Sequence, residues 1–415
     1  MRFHNRRIAA SVLVLLVSLA VAAPAAAVKR RAFVTSTTGT GDISTWAGAS
    51  GATSLDQADS VCRARAGAAG LPNASTYRAW MSNSFHDAYC HVQGQNGKKS
   101  TGCNGATLPG GGPWYLVNGI TTFTAALDQL VNLPYAIYRP VVFDENGNEL
   151  VDAFIFTGTQ WDGTVMPNDH CNDWLTTSGL AMIGNSSRTS NAWTGGVATG
   201  CGATGHLLCL EPGASEVVVQ RWQPGAIVFV TSGDGEGNLG SWPEAGGASG
   251  LAAADAICRH FATRGALPEP SSFVAWLSDN TVDAIDRITV DTTFRRLDSY
   301  PIAFSLADLT DGVALTTLHV DETGAYLWNN FGATWTGTDA NGQHDGASCD
   351  DWQDTGSFFG RYGFANSART SDWTDYASLL CSSEAHLYCI GNRVTLFWSG
   401  FEPEQLANSW SAMFP

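Results

Sequence analysis

Basic residues are scarce in this chain. Lysine and arginine total 22 against 38 aspartates and glutamates, a formal charge of −16. A chain this acidic repels phosphate backbones, which argues against nucleic acid and heparin-like polyanions as partners and leaves cations and neutral ligands. Charged residues of both signs make up only 14% of the sequence, yet it has 15 tryptophans, far too aromatic a composition for disorder. No CxxC pair occurs among the ten cysteines, so neither a zinc ribbon nor a dithiol redox motif is written here. The nine histidines include no HxH or HExxH spacing, and the sequence contains no GxSxG elbow and no P-loop. A long apolar run is also missing. The longest, "IAASVLVLLVSLAVA" at residues 8–22, falls short of the roughly 20 residues of a membrane-spanning helix.

That short run fits an export signal instead. "MRFHNRR" is a basic start, the apolar run follows, and "APAAA" supplies small residues for cleavage after Ala27. Loss of Arg2, Arg6 and Arg7 takes the charge from −16 to −19 (−16 − 3). The mature chain is expected to be secreted or periplasmic, without a membrane span, and its cysteines are expected to form disulfides.

The sequence repeats itself. "AFVTS" at Ala32–Ser36 returns as "VFVTS" at Val228–Ser232, and Leu55, Cys62 and Trp80 return as Leu251, Cys258 and Trp276, all 196 residues on. Later, "CNDW" at Cys171 returns as "CDDW" at Cys349, "NSSRTSNAW" at Asn185 as "NSARTSDW" at Asn366, and "HLLC" ending at Cys209 as "HLYC" ending at Cys389. A period this long means tandem globular domains, since solenoid units run about 20–50 residues. The expected division is a signal peptide at 1–27, a first domain at 28–212, a linker at 213–224, a second domain at 225–392 and a tail at 393–415. The tail's "LFWSGFE" resembles endings of exported proteins of some Gram-negative bacteria.

Each copy reads as α+β. A β-rich opening run is followed by a glycine-rich loop and a helix. In the first helix a capping box is expected with Ser54 at the N-cap and Gln57 at N3. Leu55, Ala58, Val61 and Cys62 share one face, and Gly70 and Pro72 mark the stop. In the second, Leu251, Ala254, Ile257, Cys258 and Phe261 form the same stripe. "YRAWMS" and "FVAWLS" suit short strands, and turns at Gly147 and Gly324 suit hairpins.

Within each copy a helix cysteine is followed after 109 or 91 residues by a second, after 30 or 32 more by a third, and after 8 by a fourth. A tryptophan, Trp193 or Trp373, stands 8 residues before the third. This pattern resembles the C-type-lectin-like fold, more closely its endostatin-like branch, and closest of all exported bacterial domains of that type. The resemblance implies two tandem, loop-rich, disulfide-stapled domains with nested bridges: Cys62–Cys209 and Cys171–Cys201, then Cys258–Cys389 and Cys349–Cys381. Cys90 and Cys103 flank an insertion that a local bridge would close. The sequence departs from the sugar-binding members of the fold, because no EPN, QPD or WND triplet occurs.

The long loops between second and third cysteines form the exposed face in folds of this type. They supply the ligand-binding candidates: Arg188, Asn191 and Trp193 in one copy, Arg369, Asp372 and Trp373 in the other. An arginine in a loop amide-and-hydroxyl cluster suits sugar hydroxyls or a peptide. The structural alternative pairs each arginine within its own domain, with Asp173 or Asp351, and buries each tryptophan over its cysteine. His206 and His386 read as core histidines. Calcium has candidates in Asp339, Asn341 and Asp345, where the closing glutamate of a calcium loop is missing. No other cofactor and no catalytic residue is indicated. The expectation is a non-enzymatic, exported binding or adhesion protein for a glycan or an extracellular matrix or envelope protein. A secreted hydrolase using paired carboxylates and a structural envelope component are the alternatives.

Overall fold

The two copies of the opening landmark form the central strands of two related sheets. The computed structural model describes residues 29–133, 135–216, 222–327 and 332–397. The expected export segment and most of the tail lie outside them. In the first half, Arg30–Val34 runs antiparallel to Leu208–Leu210, with Phe33 opposite Cys209, and parallel to Trp114–Leu116. Arg78–Ala79 and Thr122–Thr124 close the edges of this five-stranded sheet. The second half repeats the order: Phe273–Ala275, His386–Gly391, Ala226–Val230, Phe294–Arg295, Pro301–Ala303. A second meander follows in each half. It is Phe154–Phe156, Leu180–Asn185 and Val197–Gly200 in the first, and Ala333–Trp335, Phe359–Phe364 and Ala377–Leu380 in the second.

A helix packs on each sheet, Ser54–Ala68 and Gly250–Arg264. Its apolar stripe is buried as its spacing requires: Leu55, Ala58, Val61 and Cys62 in one, Ala254, Ile257, Cys258 and Phe261 in the other, where Leu251 at the start of the helix is only partly buried. Burial of each large apolar side chain contributes about 1.5–3 kcal/mol. The cap of the first helix differs from the expected one. Thr53, not Ser54, is the N-cap. Its hydroxyl accepts from the Asp56 N–H and the Asp56 carboxylate accepts from the Thr53 N–H, so aspartate rather than Gln57 completes the box. Ser54 lies inside the first turn and is buried.

Five disulfides staple this frame: Cys62–Cys209, Cys90–Cys103, Cys171–Cys201, Cys258–Cys389 and Cys349–Cys381. The first and fourth tie each helix to the central part of its sheet. "CNDW" and "CDDW" form a feature that local propensity does not suggest. All four residues of each have positive φ, 49–64° for Cys171–Trp174 and 50–63° for Cys349–Trp352, so each is one left-handed turn. Such backbone costs roughly 1–2 kcal/mol per residue. Anchors on both sides hold it: the disulfide, the buried indoles of Trp174 and Trp352 donating to the Ser82 and Ser278 carbonyls, and Asp173 and Asp351 accepting from Ser84 and Asn280 N–H groups.

Hydrophobic clusters among the described residues separate by half. Two draw on residues 32–210 and two on the chain from 222 onward. None of these clusters spans the two halves, which meet instead through hydrogen bonds, ion pairs and a few aromatic contacts.

Candidate functional site

The strand Leu180–Asn185 runs directly into the doubled phrase of the first half, and Phe359–Phe364 leads into that of the second. The two phrases meet each other. Arg188 and Ser367 form an antiparallel bridge. The Thr189 N–H donates to the Asn366 carbonyl (2.9 Å) and the Ala368 N–H to the Ser187 carbonyl (3.0 Å). Ser186, Ser187, Thr189 and Ser367 are buried there. The Thr189 hydroxyl bonds that of Thr317 across the seam (3.0 Å).

This changes the expected role of the arginines. Neither pairs within its own half. Arg188 binds Asp372 of the second half (Nη2–Oδ2 2.5 Å), and Arg369 holds Glu149 of the first through Nη2 (2.8 Å) and Nε (3.2 Å). Asp173 and Asp351 are taken by the left-handed turns, which removes them as partners. Further along the seam, Arg296 is fully buried. It donates to Asp298, to the Thr317 carbonyl (2.8 Å) and to the Tyr138 carbonyl of the other half (2.9 Å). Tyr138 stacks on Tyr300 with centroids 5.0 Å apart, and Arg139 donates to the Leu315 carbonyl (2.7 Å). Burial, with Arg369 and Arg296 nearby, lowers the Arg139 guanidinium to about 10.

The tryptophan candidates are corrected outright. Trp193 and Trp373 are buried and pack on Trp80 and Trp276 at 5.1 and 5.6 Å, so neither faces a ligand. Asn191 is partly buried, and its backbone carbonyl accepts from the Gly195 N–H. The calcium candidates are engaged separately: Asp339 accepts from the Asn341 and Gln343 N–H groups of its own turn, and Asp345 pairs with Arg361 (3.1 Å). Among the described residues, no group of three His, Cys, Asp or Glu side chains could hold a metal ion. His206 and His386 each bond a backbone carbonyl through Nδ1, to Thr35 and Gly233.

Arg188 lines a groove. It holds about 290 Å³ and is walled by Phe154, Asn185 and Val197 of the first half and Phe364 and Tyr376 of the second. Phe154 and Tyr376 are 50% and 45% exposed. The Arg188 guanidinium lies over the Phe364 ring at 5.1 Å and the Tyr376 ring at 6.0 Å, and those rings pack 4.3 Å apart. Tyr362 extends the aromatic cluster, 5.6 Å from Tyr376. Burial raises the Asp372 carboxyl, Arg188 pulls it back down, and Asp152 and Asp375 push it further up.

The copies differ here, and this was the signal that reading their shared residues passed over. A side chain at Gly184 would strike the Trp193 carbonyl (1.9 Å), and one at Gly363 the Trp373 carbonyl (2.0 Å), so these glycines are equivalent. Met182 and Ile183 then correspond to Arg361 and Tyr362, and Gly195 and Gly196 to Asp375 and Tyr376. Phe364 and Ala365 have no counterpart before the phrase. Phe364 and Tyr376, the two rings under the Arg188 guanidinium, belong to the second copy.

No protein-family model matches the chain, and no curated protein matches it. No described helix is long and apolar enough to cross a membrane.

Proposed function

We propose that this chain is an exported binding protein built from two C-type-lectin-like domains, and that it holds an extracellular glycan in the groove at their seam. Support for export comes from the basic and apolar N-terminal segment and from five disulfides, which persist in oxidising compartments. Support for the fold comes from the nested cysteine pairs, which recur in both halves.

The observation that carries the binding reading is the pair of half-exposed rings, Phe154 and Tyr376, on either side of a groove with an arginine. Ligand sites are mostly apolar with a few placed polar groups. The flat C–H face of a sugar packs on an aromatic ring, while its hydroxyls meet the Arg188 guanidinium and the Asn185 amide. The loop candidates of the two copies contribute in this reading to one composite site rather than to a site in each domain. Binding is favoured over hydrolysis because Asp372 and Asp375 are each held by an arginine, Arg188 and Arg361. A glycoside hydrolase needs two carboxyl groups free to act on one bond.

The test is a glycan and matrix-protein array with the mature chain and with Tyr376→Ala, alongside assay of reducing-sugar release. Glycan binding that is lost in the variant, without release, is expected. Release that depends on Asp372, or binding only of proteins at a surface indifferent to Tyr376, overturns the reading.

A further inference from the structure

We propose that the seam groove selects a glycan carrying free amino groups, an amino sugar in its unacetylated form, over neutral and acidic glycans. This rests on the groove being the binding site.

No described carboxylate lines the groove itself, but four stand one contact behind its wall: Asp372 on Arg188, Asp152 on Asn185, and Asp375, next to Tyr376 in sequence, which shares Arg361 with Asp345. Two guanidinium groups stand among them, Arg188 and Arg361, leaving an excess of two negative charges (4 − 2). Both guanidinium groups are already committed. Arg188 is paired with Asp372, and Arg361 bridges Asp345 and Asp375. Asp152 is exposed and accepts a long hydrogen bond from Asn185 (3.3 Å), a residue of the groove wall. Among the described residues no cation pairs with its carboxylate. The upward push on the Asp372 carboxyl from burial, Asp152 and Asp375 is the same crowding seen from inside.

The rings agree with the carboxylates. Aromatic faces attract cations, and the Arg188 position over Phe364 and Tyr376 is that attraction realised with an internal cation. The exposed Phe154 and Tyr376 faces leave room for another. An ammonium on a sugar ring would gain from both features, whereas a uronate or sulfate would meet repulsion from the local excess and from a chain of charge −16. An N-acetyl group would keep ring stacking and lose the charge term.

The experiment is calorimetric titration of the full chain with three probes at mildly acidic pH: a glucosamine hexamer, the N-acetylglucosamine hexamer and a galacturonate hexamer. The glucosamine hexamer is expected to bind about tenfold or more tighter than the N-acetylated one. The preference should shrink in about 0.5 M salt, where the screening length falls to a few ångströms. Tyr376→Ala should abolish the binding, and Asp152→Asn should reduce the preference. Equal or tighter Tyr376-dependent binding of the acetylated or acidic hexamer overturns the selectivity while leaving the groove as the site. Glucosamine binding indifferent to both Tyr376→Ala and Phe154→Ala marks adhesion to the acidic surface at large and overturns the inference. Binding of none of the three overturns both the selectivity and the groove reading.

Discussion

Replacing Arg296 by alanine should uncouple the two halves. The side chain is fully buried and makes a fork onto Asp298, Nε to Oδ1 at 3.0 Å and Nη2 to Oδ2 at 2.5 Å. It also satisfies the Thr317 carbonyl in its own half and the Tyr138 carbonyl across the seam, and lies over the Tyr300 and Tyr326 rings at 5.5 and 5.8 Å. Alanine leaves the Asp298 carboxylate without its cation. Breaking a buried pair this way costs about 3–5 kcal/mol, against a total stability for a domain of about 5–15 kcal/mol. At about 2–4 °C per kcal/mol for a domain of this size, the melt should fall by roughly 6–20 °C. Because Tyr138 belongs to the first half, calorimetry should find one transition in the parent and two in the variant. Arg296→Lys should rescue little, since an ammonium cannot make the fork. The control is Glu149→Ala at the exposed end of the seam, where loss of a partly exposed pair costs at most about 1 kcal/mol. A variant Arg296→Ala that melts within about 1 kcal/mol of the parent, as a single transition, refutes the reasoning.

Two further outcomes follow from buried chemistry elsewhere. Burial alone would raise the Asp59 carboxyl, but His91, the Ala79 N–H and Arg78 outweigh it and hold it below its ordinary value. A carboxyl lowered in the folded state stabilises above its unfolded value, near 4, and that contribution is lost as the pH falls through the folded value. Asp59→Asn should therefore be less stable near neutrality and lose less stability below about pH 4; parallel acid limbs for variant and parent would count against this. Replacing Cys90 and Cys103 together by serine opens a short loop, whose cysteines are 13 positions apart in sequence. That should cost about 3 kcal/mol in the chain-entropy model while the other four bridges form as before. Scrambled pairing in a non-reducing peptide map would show instead that the insertion guides the whole framework.

Much of the frame was legible because the chain writes it twice. The helix stripes, the strand landmarks and the spacing of the cysteines could each be checked against a second copy. The cap at Thr53 was misplaced by one residue because serine and threonine stand side by side, and only backbone geometry tells which hydroxyl faces the Asp56 N–H. The left-handed turns at Cys171 and Cys349 were not legible, since no local preference puts four non-glycine residues in that conformation. Anchors distant in sequence impose it, as Ser82 and Ser278 do through the indoles. The doubled phrase stands out as a repeat, but its use is a contact of the phrase with itself, which a within-domain reading cannot reveal. Tyr376 and Phe364 escaped because they stand where the copies disagree.

Amide hydrogen exchange in the intact chain measures the contact between the two phrases directly. The Thr189 N–H donates to the Asn366 carbonyl and the Ala368 N–H to the Ser187 carbonyl, each across the seam. Both sit in loops between strands, where amides ordinarily exchange fast. The seam predicts that both are slowed about a thousandfold or more relative to an unstructured amide, and that Arg296→Ala removes most of this protection from both together. Exchange of either amide at the rate of an open loop in the parent protein would contradict it.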